Sequence, residues 1–178
     1  MGEGLHRLGR IAAVAALCAA APVLIGSTGR LTSLDERLLA AHNRERTGAG
    51  LPAMRWDASL AADAAEWGEE LAAVDDIEHS PDDPEDPEPQ GENLWLGTSG
   101  YFTPEQMVGM WAEEKRHFVP RPIPYSSRTG NFDDVGHYTQ LMWRETGKVG
   151  CALAKGQENE ILVCRYSAAG NVEGEQAF

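Results

Sequence analysis

Gly136-His137-Tyr138-Thr139-Gln140-Leu141-Met142-Trp143 is the stretch whose reading decides how the rest of the chain is laid out. Its eight residues are aromatic, β-branched and apolar types with no proline, which reads as a β-strand. In an extended chain alternate residues share a face, so His137, Thr139, Leu141 and Trp143 point one way and Tyr138, Gln140 and Met142 the other. A histidine heading an otherwise apolar or β-branched row is either a hydrogen-bonded core residue or a site residue. Buried polar groups usually just find a partner, so physics alone favours the first.

Downstream, Val149 to Ala154 and Ile161 to Tyr166 are apolar runs separated by turn residues Lys155 to Asn159. Folding them about Gln157 and Glu158 sets Cys151 directly opposite Cys164, within the roughly 4.5–5.5 Å that antiparallel neighbours reach and a disulfide accepts. The remaining cysteine, Cys18, lies in an N-terminal apolar segment, so an exported chain keeps an even pair.

Upstream, Thr103-Pro104-Glu105-Gln106 predicts a helix start: a threonine cap, proline at the first helical position and a glutamine that closes a capping box. Met107, Met110, Trp111 and Glu114 then share one face, whereas Glu113 and Lys115 point away. An acid on a buried face costs free energy unless it is paired or sits at the edge in reach of solvent.

Two more helices precede this one. Leu31 to Arg46 carries Leu34, Leu38, Ala41 and Glu45 at helical spacing and stops at Gly48-Ala49-Gly50, with His42 read as a hydrogen-bonded structural histidine. After a short extended piece, Met54-Arg55-Trp56, Asp57 caps a helix running to Val74, whose stripe is Leu60, Ala64, Trp67, Leu71 and Val74. Pro81 to Gln90, with four prolines and five acids, is an exposed loop without the ligand spacing of an EF-hand. Val119 to Asn131 holds three prolines and reads as an irregular surface loop.

Length and charge bound the function. The chain has 178 residues, enough for one domain with a sizeable core, and 15 basic against 28 acidic side chains give a formal charge of −13. That field repels nucleic-acid phosphates and anionic membrane surfaces. His6, Arg7 and Arg10, the apolar run Ile11 to Ile25, and Gly26-Ser27-Thr28-Gly29 describe a signal peptide over residues 1–29, cleaved between 20 and 29. The run, broken by Pro22, falls short of the roughly 20 residues that span a bilayer. The expectation is a secreted protein, extracellular or periplasmic, with a single domain over 30–178 and no stable membrane span once the signal is removed.

"GHYTQLMW", followed by "VGCALA" and then "CRYSAAGN", resembles the paired signature of the CAP superfamily, which holds cysteine-rich secretory proteins, antigen 5 and pathogenesis-related 1 proteins. The resemblance runs from about Leu34 to Asn171. It implies an α+β fold, a three-layer α-β-α sandwich with a central antiparallel sheet. It also implies one cavity lined by His79 ("HS"), Glu92 ("GEN"), Glu114 (three residues after Trp111) and His137 ("GHYTQ"). Two imidazoles with carboxylates and water suit zinc, so His79 and His137 are the implied ligands of a weak, exchangeable ion, oriented by the glutamates. The alternative is a buried polar network that only holds helix and sheet in register.

The activity implied is that of a secreted, non-catalytic binding module for a small lipid or sterol, with Met107, Met110, Trp111 or the Val119 to Asn131 loop lining the cleft. A protein partner at loop 81–90 is the other binding reading. A metal-dependent or serine-type hydrolase built on His79-Ser80 and Glu92 is the enzymatic alternative, though the chain has neither H-E-x-x-H nor G-x-S-x-G. Three departures from the family pattern stand out: the lengthened acidic loop between His79 and Glu92, a single possible disulfide, and no cysteine-rich tail of the kind that regulates channels.

Overall fold

The computed structural model describes Met1 and residues 33–81 and 85–178. The chain divides into Met1–Leu31 and a compact unit Thr32–Phe178, and everything below concerns the second. The signal peptide read over residues 1–29 lies outside the described residues.

Helix α1 (Leu34–Gly48) starts three residues later than its periodicity suggested, because Ser33 and Glu36 form a reciprocal capping box there. Strand β1 (Arg55–Trp56) leads to α2 (Ala58–Val74), whose cap Asp57 accepts the N–H groups of Ser59 and Leu60. Strand β2 (Gly91–Thr98) precedes α3 (Pro104–Glu113), with the predicted Thr103/Gln106 box in place. Short 3₁₀ turns at Glu114–Arg116 and Phe132–Asp134 flank the irregular loop, then come α4 (Gly136–Leu141), β3 (Lys148–Lys155) and β4 (Asn159–Ser167).

The strand read over Gly136 to Trp143 is therefore corrected: Gly136–Leu141 is helical. Six consecutive residues, Tyr138 to Trp143, are buried, so no two-residue alternation of inside and outside exists for a strand to satisfy. The Thr139 hydroxyl oxygen lies 3.0 Å from the carbonyl of Val135, four residues back, as in a helix, and Tyr138 N–H finds the Glu114 carboxylate. Strand propensity here yields to tertiary context.

The sheet has the order β1-β3-β4-β2 and is mixed. Its three long strands are antiparallel neighbours, and β1 adds two residues parallel to β3. The β3–β4 register pairs Cys151 with Cys164, and the two sulfurs form a disulfide of 2.05 Å. Alternation along β4 sorts the core into two layers. Ile161 and Val163 pack with Leu94, Ala64 and Leu71 beneath α2. Leu162, Cys164 and Tyr166 pack with Leu38, Met107, Trp111 and Leu141 beneath α1, α3 and α4. Helices thus cover both faces of the sheet, a three-layer α-β-α sandwich.

Three residues assigned to apolar faces sit at their edges instead: Leu34, Val74 and Met110 are exposed. Met107 and Trp111 are sealed in the core, so of the three α3 residues expected to line a lipid cleft only Met110 reaches the surface, where its sulfur accepts the Trp95 indole N–H at 3.1 Å. Loop 119–131 is irregular, as read, but is anchored inward through Ile123, which packs on Trp143 and Ala177.

Arg46 is the least expected core residue. Its guanidinium is fully buried near the end of α1 and donates to four carbonyls: Nε to Pro52, Nη1 to Leu141 and Trp143, and Nη2 to Thr146, at 2.8–3.0 Å. It fixes the path of the chain from α4 into β3. Burial pulls its pKa below the usual arginine range.

Candidate functional site

Two histidine–carboxylate pairs face each other from different parts of the fold. The first belongs to the start of β2. Glu92, with only 7% of its side chain exposed, accepts from His79 Nδ1 at 2.6 Å and from the backbone N–H of Ser80 at 3.2 Å through one oxygen. Its other oxygen lies 3.0 Å from Nη2 of Arg165, the residue opposite it in the β2–β4 register.

The second pair joins α3 to α4. Glu114 follows the last residue of α3, accepts from His137 Nδ1 at 2.7 Å, and takes the Tyr138 backbone N–H at 3.0 Å on its other oxygen. That second contact satisfies an N–H of the first turn of α4, which lacks a side-chain cap of its own. This resolves the acid on an apolar face: Glu114 is paired. The His137 ring lies parallel to Trp111, 6.1 Å between centroids, and Trp111 is itself held by donating to the Leu94 carbonyl.

His79, Glu92 and His137 line one cleft of about 360 Å³, together with Asn93, Phe132, Asp133, Gly136 and Asn171. Glu114 stands behind His137 rather than on the cleft wall. Of the additional lining residues, Asn93 and Asn171 carry structural work that sequence reasoning missed. Asn93 donates to the His137 carbonyl and to the Tyr166 hydroxyl, and Asn171 donates to the Gly136 carbonyl while accepting from the Thr139 hydroxyl. The signal available was their position beside the motif residues, in "GEN" and "AGN".

Behind the cleft, Asn93 joins a buried relay. Tyr166 O–H donates to His42 Nε2, and His42 Nδ1–H donates to the Leu38 carbonyl, both at 2.8 Å. Burial lowers the His42 pKa from 6.5 to about 4, with the nearby Arg46 cation adding to the effect, and the same burial drives the Tyr166 phenol far upward. His42 is a structural histidine, as its position in α1 suggested.

The donor chemistry of the cleft fits a divalent ion. In each pair Nδ1–H is given to a carboxylate, which fixes the tautomer that leaves Nε2 as the ring's ligand atom. Among the described residues, the group of three metal-ligating side chains within 4.8 Å of one another is His42, Cys151 and Cys164. It does not suit a metal, because both sulfurs are in the disulfide and both His42 nitrogens are already hydrogen-bonded. The His79/His137 cleft supplies two imidazoles and would need water to complete a coordination shell.

A sheet covered on both faces by helices, with paired imidazoles and carboxylates at a surface cleft, defines an α-β-α sandwich protein. The chain belongs to the CAP family of cysteine-rich secretory proteins, whose model matches residues 39–166. It is 32% identical over 158 residues to pathogenesis-related protein 1B of Nicotiana tabacum, covering 88% of each chain. It is 34% identical over 149 residues to GLIPR1-like protein 1 of Bos taurus, covering 76% of this chain and 59% of that one. In fold it is similar to the crystal structure of NaASP2 with Zn2+, with a TM-score of 0.66 and 24% identity over 83% of this chain and 86% of that one. Venom allergen-like protein 4 of Schistosoma mansoni gives a TM-score of 0.61 at 22% identity, covering 83% and 97%. Among the described residues, no helix is long and apolar enough to cross a membrane.

Proposed function

We propose that the chain is an exported, non-catalytic CAP protein whose cleft takes an exchangeable divalent cation, zinc above all, between His79 and His137. The observation that carries this reading is the matched pair of Nδ1–carboxylate bonds at 2.6 and 2.7 Å, on two histidines lining one cleft. Glu92 and Glu114 orient the rings, and Arg165 is ion-paired with Glu92 from the neighbouring strand. A fold relative crystallised with Zn2+ agrees with this reading. Two protein ligands make weak binding, so the ion exchanges. Zinc would supply a Lewis acid there; the residues around it hold and orient rather than transfer protons. The hydrolase alternative is disfavoured because Glu92, the acid beside His79-Ser80, already accepts two hydrogen bonds on one oxygen and is ion-paired with Arg165 through the other.

Native mass spectrometry of the protein purified without chelator tests this reading. A zinc-sized adduct is expected in the wild type and absent in both His79→Ala and His137→Ala. An adduct surviving in either variant, or missing from the wild type with zinc supplied, would leave the four residues as a structural network.

Small-lipid capture is a second reading, favoured by one feature. Between α2 and β3 lies a groove of about 500 Å³ walled by Ala65, Ala72, Ala152 and Leu153, with Glu69 and Lys155 also lining it. Small side chains there leave room for an apolar ligand. Ala72→Trp fills it and is expected to abolish uptake of a fluorescent sterol; unchanged uptake removes this reading.

A further inference from the structure

The end of α2 carries a feature that neither the cleft nor the alanine-walled groove explains. Val74, the last residue of the helix, is 70% exposed, and Ile77 just beyond it is 42% exposed. They line a groove of about 380 Å³ with Trp67 and Leu71, and its remaining walls are Glu70, Asp76 and Glu78. Scattered surface aliphatics need no explanation; four apolar side chains gathered in one groove do.

The groove is also built rather than incidental. Trp67 Nε1 donates to the Glu78 carbonyl at 3.0 Å, tying the segment after α2 back onto the helix. Asp75 turns the chain in the left-handed region at φ 58°, and its carboxylate accepts the N–H groups of Glu158 and Asn159 from the β3–β4 turn. Both walls therefore hang on hydrogen bonds to rigid elements.

Its charge is one-sided. The Lys and Arg ion pairs among the described residues join Arg37 to Glu105, Arg44 and Lys115 to Glu45, Lys148 to Asp57, and Arg165 to Glu92. None reaches Glu66, Glu70, Asp76 or Glu78. Across Trp67 a neighbouring groove is lined by Asp63, Glu66 and Asp86, with Arg165, the cation paired to Glu92, on its wall. Uncompensated carboxylates around an apolar floor attract a cationic partner and repel an anionic one.

We propose that this groove docks a basic amphipathic segment of another protein. An apolar side chain of the partner seats against Val74, Ile77 and Trp67, while flanking lysines or arginines meet Glu70, Asp76 and Glu78. Anionic lipid headgroups and nucleic acids are excluded by the same rim. The small footprint places the contact among transient interfaces rather than permanent ones.

Fluorescence anisotropy with a labelled synthetic peptide of lysine and leucine at helical spacing, beside an all-lysine peptide of equal length, tests the assignment on the full chain. The lysine–leucine peptide is expected to bind more tightly, and added salt to weaken it. Glu70→Lys and Val74→Asp, both at exposed positions, should each cost about tenfold in affinity. Glu173→Lys makes the same change in net charge on the exposed C-terminal stretch and should leave binding unchanged. The proposal is overturned if the all-lysine peptide binds as tightly, or if Val74→Asp has no effect. A Glu173→Lys loss equal to that of Glu70→Lys, or no binding by the wild type, overturns it equally.

Discussion

Acid should unfold this protein partly through a single histidine that never touches the cleft. His42 is fully buried, gives Nδ1–H to the Leu38 carbonyl and receives the Tyr166 hydroxyl on Nε2. Protonation would place a cation beside the Arg46 guanidinium and turn the Tyr166 hydroxyl away, and burial accordingly lowers the pKa from 6.5 to about 4. Because the folded-state pKa lies below the unfolded one, the unfolded chain binds the extra proton first. His42 therefore costs nothing above about pH 6.5, and stability falls as pH drops toward 4, where the loss is complete. At about 1.4 kcal/mol per pH unit the full loss is about 3 kcal/mol, a large share of an ordinary domain's stability. Urea unfolding of the wild type and His42→Gln, followed across this range, measures it. Carboxylates such as Glu105, which its bond to Arg37 holds at about 2, contribute to both proteins alike, so the difference between the curves isolates His42. The variant should be less stable near neutrality and converge on the wild type in acid. Two parallel curves would refute the reasoning.

Arg46→Met removes the donor to four carbonyls, three of them buried, and should cost about 3–5 kcal/mol, the range for breaking a buried charged network. Arg46→Lys should recover little, because an ammonium cannot serve four acceptors spread over a planar fork; chemical denaturation of both variants checks this. In the cleft, two imidazole ligands hold zinc weakly, so the adduct should be stripped by a chelator and return when zinc is resupplied, which native mass spectrometry follows.

The elements that declared themselves in sequence are those whose signals are local. The α3 start is one, since cap, proline and glutamine lie within four residues and each satisfies or replaces an orphan N–H of that same turn. The β3–β4 hairpin is another: two apolar runs around a short turn leave one register that opposes the two cysteines. The α4 segment misled because its composition fits a pleated surface, whereas its conformation is set by groups far away in the chain, the Glu114 carboxylate and the Asn171 amide. The four motif residues of the site were legible only through family resemblance, as no spacing links residues on four segments. Sequence did flag one of them independently, since Glu114 on an apolar helix face demanded a partner, and His137 is that partner. Arg46 gave no warning, because an arginine in the last turn of a helix reads as an ordinary solvated charge.

That arginine also decides where the chain has freedom to change length. Its bonds to the carbonyls of Leu141, Trp143 and Thr146 act as fixed rungs, so one residue gained or lost between α4 and β3 would leave at least one buried carbonyl without its donor. Between Ser80 and Gln90, by contrast, the two ends are tied separately, to Glu92 and to Asp63. Additional residues there add only the slowly growing entropy of a longer loop. The acidic segment of this chain lies in that permissive interval, which makes 81–90 the natural place to graft foreign sequence and 141–146 the place where such a graft would fail.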